Sequence, residues 1–151
     1  MPYLSYCVEV WGNVYKTNID PIIKLQKKPI RIINKASYLE STNPLFIKSN
    51  TLKFVDMVYT KTLEIVFRAK SKSLPGCILR LFKTREGRYN LRGVYIFKTD
   101  KNARTNMKAR FVSVWGVKQR KNLDDGLKLC NSQVMFKKAL KSKIIQEYIQ
   151  L

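Results

Sequence analysis

Apolar residues recur along most of this chain at helical spacing, and two short stretches break the rhythm. Between Asp20 and Ala36, the residues Ile22, Leu25, Pro29, Ile32, Ile33 and Ala36 share one side of a helical wheel. Lys24, Lys27, Lys28, Arg31 and Lys35 fall opposite. Asp20-Pro21 supplies a start, because Asp accepts N–H bonds as an N-cap and Pro at the first position loses none. The phase holds across Pro29, which predicts one kinked helix rather than two. The kink costs roughly 3 kcal/mol if nothing replaces the N–H that the Leu25 carbonyl lacks. Asn43-Pro44 in "LESTNPLFIKSN" reads as a turn. A second helix is expected after Asn50, running to about Lys72. Its stripe is Leu52, Val55, Tyr59, Leu63, Val66 and Ala69, widened by Val58, Ile65 and Phe67. "SLPG" (73–76) stops it.

"YLSYCVEVW" (3–11) fits either a strand or the buried end of a helix. "ILRLFK" (78–83) suits one or two helical turns. "VYIF" (94–97) and "FVSVW" (111–115) alternate like strands and flank a polar basic stretch, which predicts a hairpin with a basic tip. A last helix from about Gln133 to Tyr148 carries Phe136, Leu140, Ile144 and Tyr148 on one face. The expected fold is α+β and predominantly α-helical. A helical region spans 1–76, and a basic region with short strands and a terminal helix spans 77–151.

Charge narrows the partners. The 151 residues carry 30 Lys and Arg against 10 Asp and Glu, a formal charge of +20. Self-repulsion at that charge opposes compaction, and a polyanion relieves it. Nucleic acid is the first candidate, an anionic membrane surface the second, and a solvated basic surface the plain alternative. Ten cations and one carboxylate, Asp100, lie between Arg88 and Lys121. The candidate nucleic-acid contacts are Lys24, Lys27, Lys28, Arg31 and Lys35 on the first helix, with Arg92, Arg104, Lys108 and Arg110 as a second set. Trp11, Trp115 and most Phe are expected in the core rather than as stacking platforms.

The remaining chemistry is sparse. The chain has no histidine, and its carboxylates are scattered. The adjacent pair Asp124-Asp125 beside Gly126 reads as a cap or turn. No phosphate-binding glycine motif occurs. Neither catalysis, a cofactor nor a metal site is expected. Cys7, Cys77 and Cys130 are odd in number, far apart and outside any C-x-x-C pair, which predicts buried free thiols in a reducing compartment. No apolar run nears the roughly 18 residues of a membrane span, and the first residues lack a secretion signature. An intracellular protein, nuclear or cytoplasmic, is expected.

"YCVEVWGN", "LQKKPIRIINK", "TNPLFIKSNTLKFVDMVYTKT", "RAKSKSLPG", "YNLRG" and "FKKALKSKII" stand in this order from Tyr6 to Ile145. Together they resemble the region after the polymerase palm in reverse transcriptases of LINE-type (non-LTR) retrotransposons. The resemblance covers nearly the whole chain. It implies a helical thumb, gripping the template–primer duplex, for "YCVEVWGN" and "LQKKPIRII". For the rest it implies a C-terminal extension that contacts the element's RNA or target DNA. The catalytic [FY]-x-D-D residues of that family belong upstream, and none occurs here. Pro29 stands where a small residue is expected, Ser41 where His often precedes "TNPLF", and Arg120 where the tryptophan of "K-x-W-N-x-L" is expected. Those departures, with Met1 inside the similarity, imply a decayed and truncated copy.

The expected function is therefore a non-catalytic reverse-transcriptase fragment that binds RNA or DNA through its backbone, with little sequence preference. Two competitors differ in kind. One is an interaction module that packs against a missing partner such as the upstream polymerase region. The other is a basic protein lying on anionic lipid, which the lack of Trp and Phe on the 21–36 helix disfavours.

Overall fold

The computed structural model describes residues 2–84, 97–98 and 105–150, and these are predominantly helical. The chain sorts into two compact units, Met1–Thr60 with Lys138–Leu151, and Lys61–Lys137. This division by packing leaves the composition boundary at 76/77 inside the second unit.

In the first unit, "YLSYCVEVW" forms two helical turns, α1 (Pro2–Ser5) and α2 (Val8–Trp11), hinged at Cys7 in the left-handed region. They precede α3 (Lys16–Ile33), α4 (Asn43–Lys48) and the start of α5 (Phe54–Lys70). The later part of the final helix, α10 (Gln133–Gln150), completes the unit. Val8, Phe54 and Val58 form its core, with Trp11, Ile19, Ile22 and Ile23 packed around them. The half-buried Trp11 ring stacks on the buried Phe54 at 5.4 Å, at the edge of this cluster. Leu140, Ile144 and Tyr148 are buried along α10 at four-residue spacing.

Helix α3 differs from expectation in both start and face. It begins at Lys16 rather than Pro21, and both Pro21 and Pro29 lie inside it. Thr17 and Leu25, whose carbonyls lose their N–H partners to these prolines, are exposed, so water can satisfy them. The buried positions are Gln26 and Ile30, flanked by the half-buried Ile19, Ile22 and Ile23. Leu25, Ile32 and Ile33 are exposed at 60%, 77% and 69%. The face toward the core is thus about a quarter turn from the one that the apolar pattern implied. Gln26 explains the shift. Its Nε2 donates to the Leu52 carbonyl at 2.9 Å, and its Oε1 accepts the Phe54 N–H at 2.8 Å. A satisfied amide can occupy a core position that the pattern reserved for an aliphatic residue.

Asn43-Pro44 opens the short helix α4 instead of forming a turn, since Pro in the first turn sacrifices no bond. Helices α3, α4 and α5 end in the same way. A left-handed residue follows each (Lys35, Asn50 and Lys72), with 6→1 and 5→2 bonds closing each end. In α3 these are Ala36 N–H to Arg31 O at 3.0 Å and Lys35 N–H to Ile32 O at 3.1 Å. The "SLPG" stop is this motif at Lys72.

In the second unit, Val66, Ala69, Leu74, Phe82, Phe97 and Val117 form the core, with Ile65, Leu79 and Val112 against it. Phe67 stacks on Phe136 at 4.9 Å. The short helices here are α6 (Gly76–Leu79), α7 (Asn106–Ala109), α8 (Val117–Lys121) and α9 (Asp125–Lys128). Asp124 occupies the N-cap position of α9, and its side chain makes no cap hydrogen bond there.

The expected strand at 111–115 is corrected. Val112–Gly116 is a π-helical turn that runs straight into α8. It places Val112, Gly116 and Val117 toward α5, where a Cβ on Gly116 would stand 2.7 Å from Thr62 Cγ2 and 2.8 Å from Val66 Cγ2. Residues 94–96 of the other expected strand, and most of the basic stretch, lie outside the described residues. Phe97 makes an isolated antiparallel bridge with Thr84, and no hairpin is formed among the described residues. The thiols are corrected too. Cys7 and Cys77 are exposed and Cys130 is half-buried, all three unpaired.

Candidate nucleic-acid interface

Lys24, Lys28 and Arg31 stand at i, i+4 and i+7 on α3 and so form one row along the helix. Lys35 follows just beyond the C-cap. Lys24, Lys28 and Lys35 are exposed. Arg31 is partly committed to the fold. Its Nη2 and Nε donate to the Glu40 carbonyl at 3.1 and 3.4 Å, and its guanidinium lies 5.6 Å from the Tyr38 ring centroid. Arg31 thereby holds the 34–40 loop while keeping its charge near the surface.

Lys27 diverges from this row and lines a cleft of the first unit with a volume of about 180 Å³. Ile23, Phe46, Phe54 and Val55 contribute apolar walls. Thr42, Asn43, Lys53 and Asp56 add polar groups. The start of α5 forms one side, and two distant side chains fix it. Gln26 accepts the Phe54 N–H, and the Tyr148 hydroxyl accepts the Lys53 N–H at 3.1 Å while donating to Asp56 Oδ2. Burial, then the Asp56 hydrogen bond, pushes the Tyr148 pKa well above its ordinary value. The Lys53 ammonium lies 4.2 Å from the centroid of the Tyr148 ring.

The second candidate set belongs to the other unit. Lys108 sits in α7, exposed, and Arg110 follows it, half-buried; Arg92 and Arg104 lie outside the described residues. Sequence patterning missed Thr42, Asn43 and Lys53, because the cleft gathers them from segments with no shared periodicity. It also missed the environment of Arg120. This residue is 7% exposed, and neither terminal nitrogen of its guanidinium has a hydrogen-bond partner among the described residues. Burial lowers its pKa. Lys70, which donates to the Lys128 carbonyl at 3.2 Å, is lowered by burial and then by the Arg120 charge.

Among the described residues, no cluster of three or more His, Cys, Asp or Glu has metal-binding geometry. No described helix is long and apolar enough to cross a membrane. No family model, curated protein or solved structure matches the chain.

Proposed function

We propose that this chain is a non-catalytic fragment of a LINE-type reverse transcriptase that binds RNA or DNA through the phosphate backbone inside the cell. The observation that carries the binding is the row Lys24, Lys28 and Arg31 on α3, with Lys35 exposed just beyond it, on a chain of charge +20. Three cations along one helix edge match a polyanion, and few carboxylates oppose them. The assignment to a reverse transcriptase draws on the ordered motifs from "YCVEVWGN" to "FKKALKSKII".

Affinity for a short duplex should fall log-linearly with salt, and Lys24→Gln and Lys28→Gln should each lower that slope by about one. Fluorescence anisotropy between about 50 and 200 mM salt reads this, and an affinity unchanged over the range overturns the proposal. The exposed Leu25, Ile32 and Ile33 favour a second reading, in which this face of α3 is covered by the missing polymerase region. That reading holds if the titration shows no nucleic-acid binding and the chain aggregates instead.

A further inference from the structure

We propose that the cleft between α3, α4 and the start of α5 takes one unstacked nucleobase from a single strand of RNA or DNA. The phosphates beside that base would lie on Lys27 and Lys53. The inference rests on the nucleic-acid reading above and adds the form of nucleic acid preferred.

Size comes first. About 180 Å³ is below the roughly 300 Å³ at which pockets for whole drug-sized ligands begin. It exceeds the roughly 150 Å³ cavity known to hold a benzene ring. One planar ring system is the scale that fits.

Chemistry then separates a base from an anion. Ile23, Phe46, Phe54 and Val55 give apolar walls, and the Asp56 carboxylate disfavours a phosphate inside. A neutral heterocycle avoids that repulsion and still needs polar partners at its edge. The structure offers two. Thr42 is only 7% exposed, yet no hydrogen bond engages its hydroxyl among the described residues. The hydroxyl keeps its capacity both to donate to and to accept from an arriving group. Asn43, beside it, carries the donor–acceptor pair that suits the edge of a base. Gln26 is already satisfied on both atoms and serves as a fixed wall.

The cations are placed to complete the contact. Lys27 and Lys53 line the same cleft from separate elements, and the Tyr148 ring beside the Lys53 ammonium restrains it there. A base inside with its own phosphates outside satisfies walls, rim and charges together. A base still stacked in a duplex cannot enter.

The test compares three labelled probes of matched length at fixed salt: an intact single strand, an abasic single strand and a blunt duplex. The intact strand should bind about five- to one-hundredfold tighter than the abasic one, the factor expected from one accommodated base. Thr42→Val and, independently, Asn43→Ala should collapse that ratio toward one, with thermal melts confirming that each variant folds. Equal binding of intact and abasic strands overturns the cleft while the electrostatic reading stands. Binding to none of the probes at low salt overturns both.

Discussion

Arg120 shows what a single residue can do against its surroundings. Its guanidinium is buried, neither terminal nitrogen has a hydrogen-bond partner among the described residues, and its charge helps to lower the Lys70 pKa. Removing such a group in favour of an apolar one of similar volume often stabilises a protein by about 1–4 kcal/mol. Arg120→Met is therefore expected to raise the melting temperature and to let the Lys70 pKa rise. An unchanged or lower melting temperature would show that the guanidinium has a favourable partner. The sequence marked this position only as an arginine where a tryptophan was expected, and its burial was not legible. The same holds for Gln26. Its partners, the Leu52 carbonyl and the Phe54 N–H, lie in another segment, so nothing local announces that its amide is satisfied.

At the scale of elements, legibility follows how many faces a segment could bury. Phe136, Leu140, Ile144 and Tyr148 offer α10 one stripe, and all four are buried. Helix α3 offers two apolar arcs, and tertiary packing chose the one with a glutamine in it. "FVSVW" alternates like a strand, but a strand needs a ladder partner, and the turn it forms instead presses Gly116 against α5. The three matching C-caps carry a cost that can be measured. Left-handed backbone disfavours any residue with a Cβ by roughly 1–2 kcal/mol, and Lys35 and Lys72 both adopt it. Lys35→Gly and Lys72→Gly are each expected to raise the urea midpoint by the equivalent of about 1 kcal/mol. Lys35→Ala, which keeps the Cβ, should give no such gain. Equal effects of Gly and Ala would place the stabilisation in the lost charge instead.

Across the whole molecule, the predominance of helix and the basic charge were legible, because both are sums over many residues. The assembly of the first unit was not, because its closing contact joins Tyr148 to Lys53 and Asp56, far apart in the chain. That contact gives stability a pH signature. The folded Tyr148 pKa is raised above its unfolded value of 10.0, chiefly by burial and then by the bond to Asp56. Its contribution is fully present below pH 10 and is lost as pH rises further. Tyr148→Phe is expected to cost about 1–3 kcal/mol below that pH, with the gap to the unmodified protein closing above it. A gap that persists at alkaline pH would place the effect in packing rather than in the hydroxyl. The contact also bears on synthesis. A ribosome makes Lys53 well before Tyr148, so the N–H of Lys53 waits for its acceptor until α10 has emerged. Residues 2–60 therefore belong to a unit that only α10 completes.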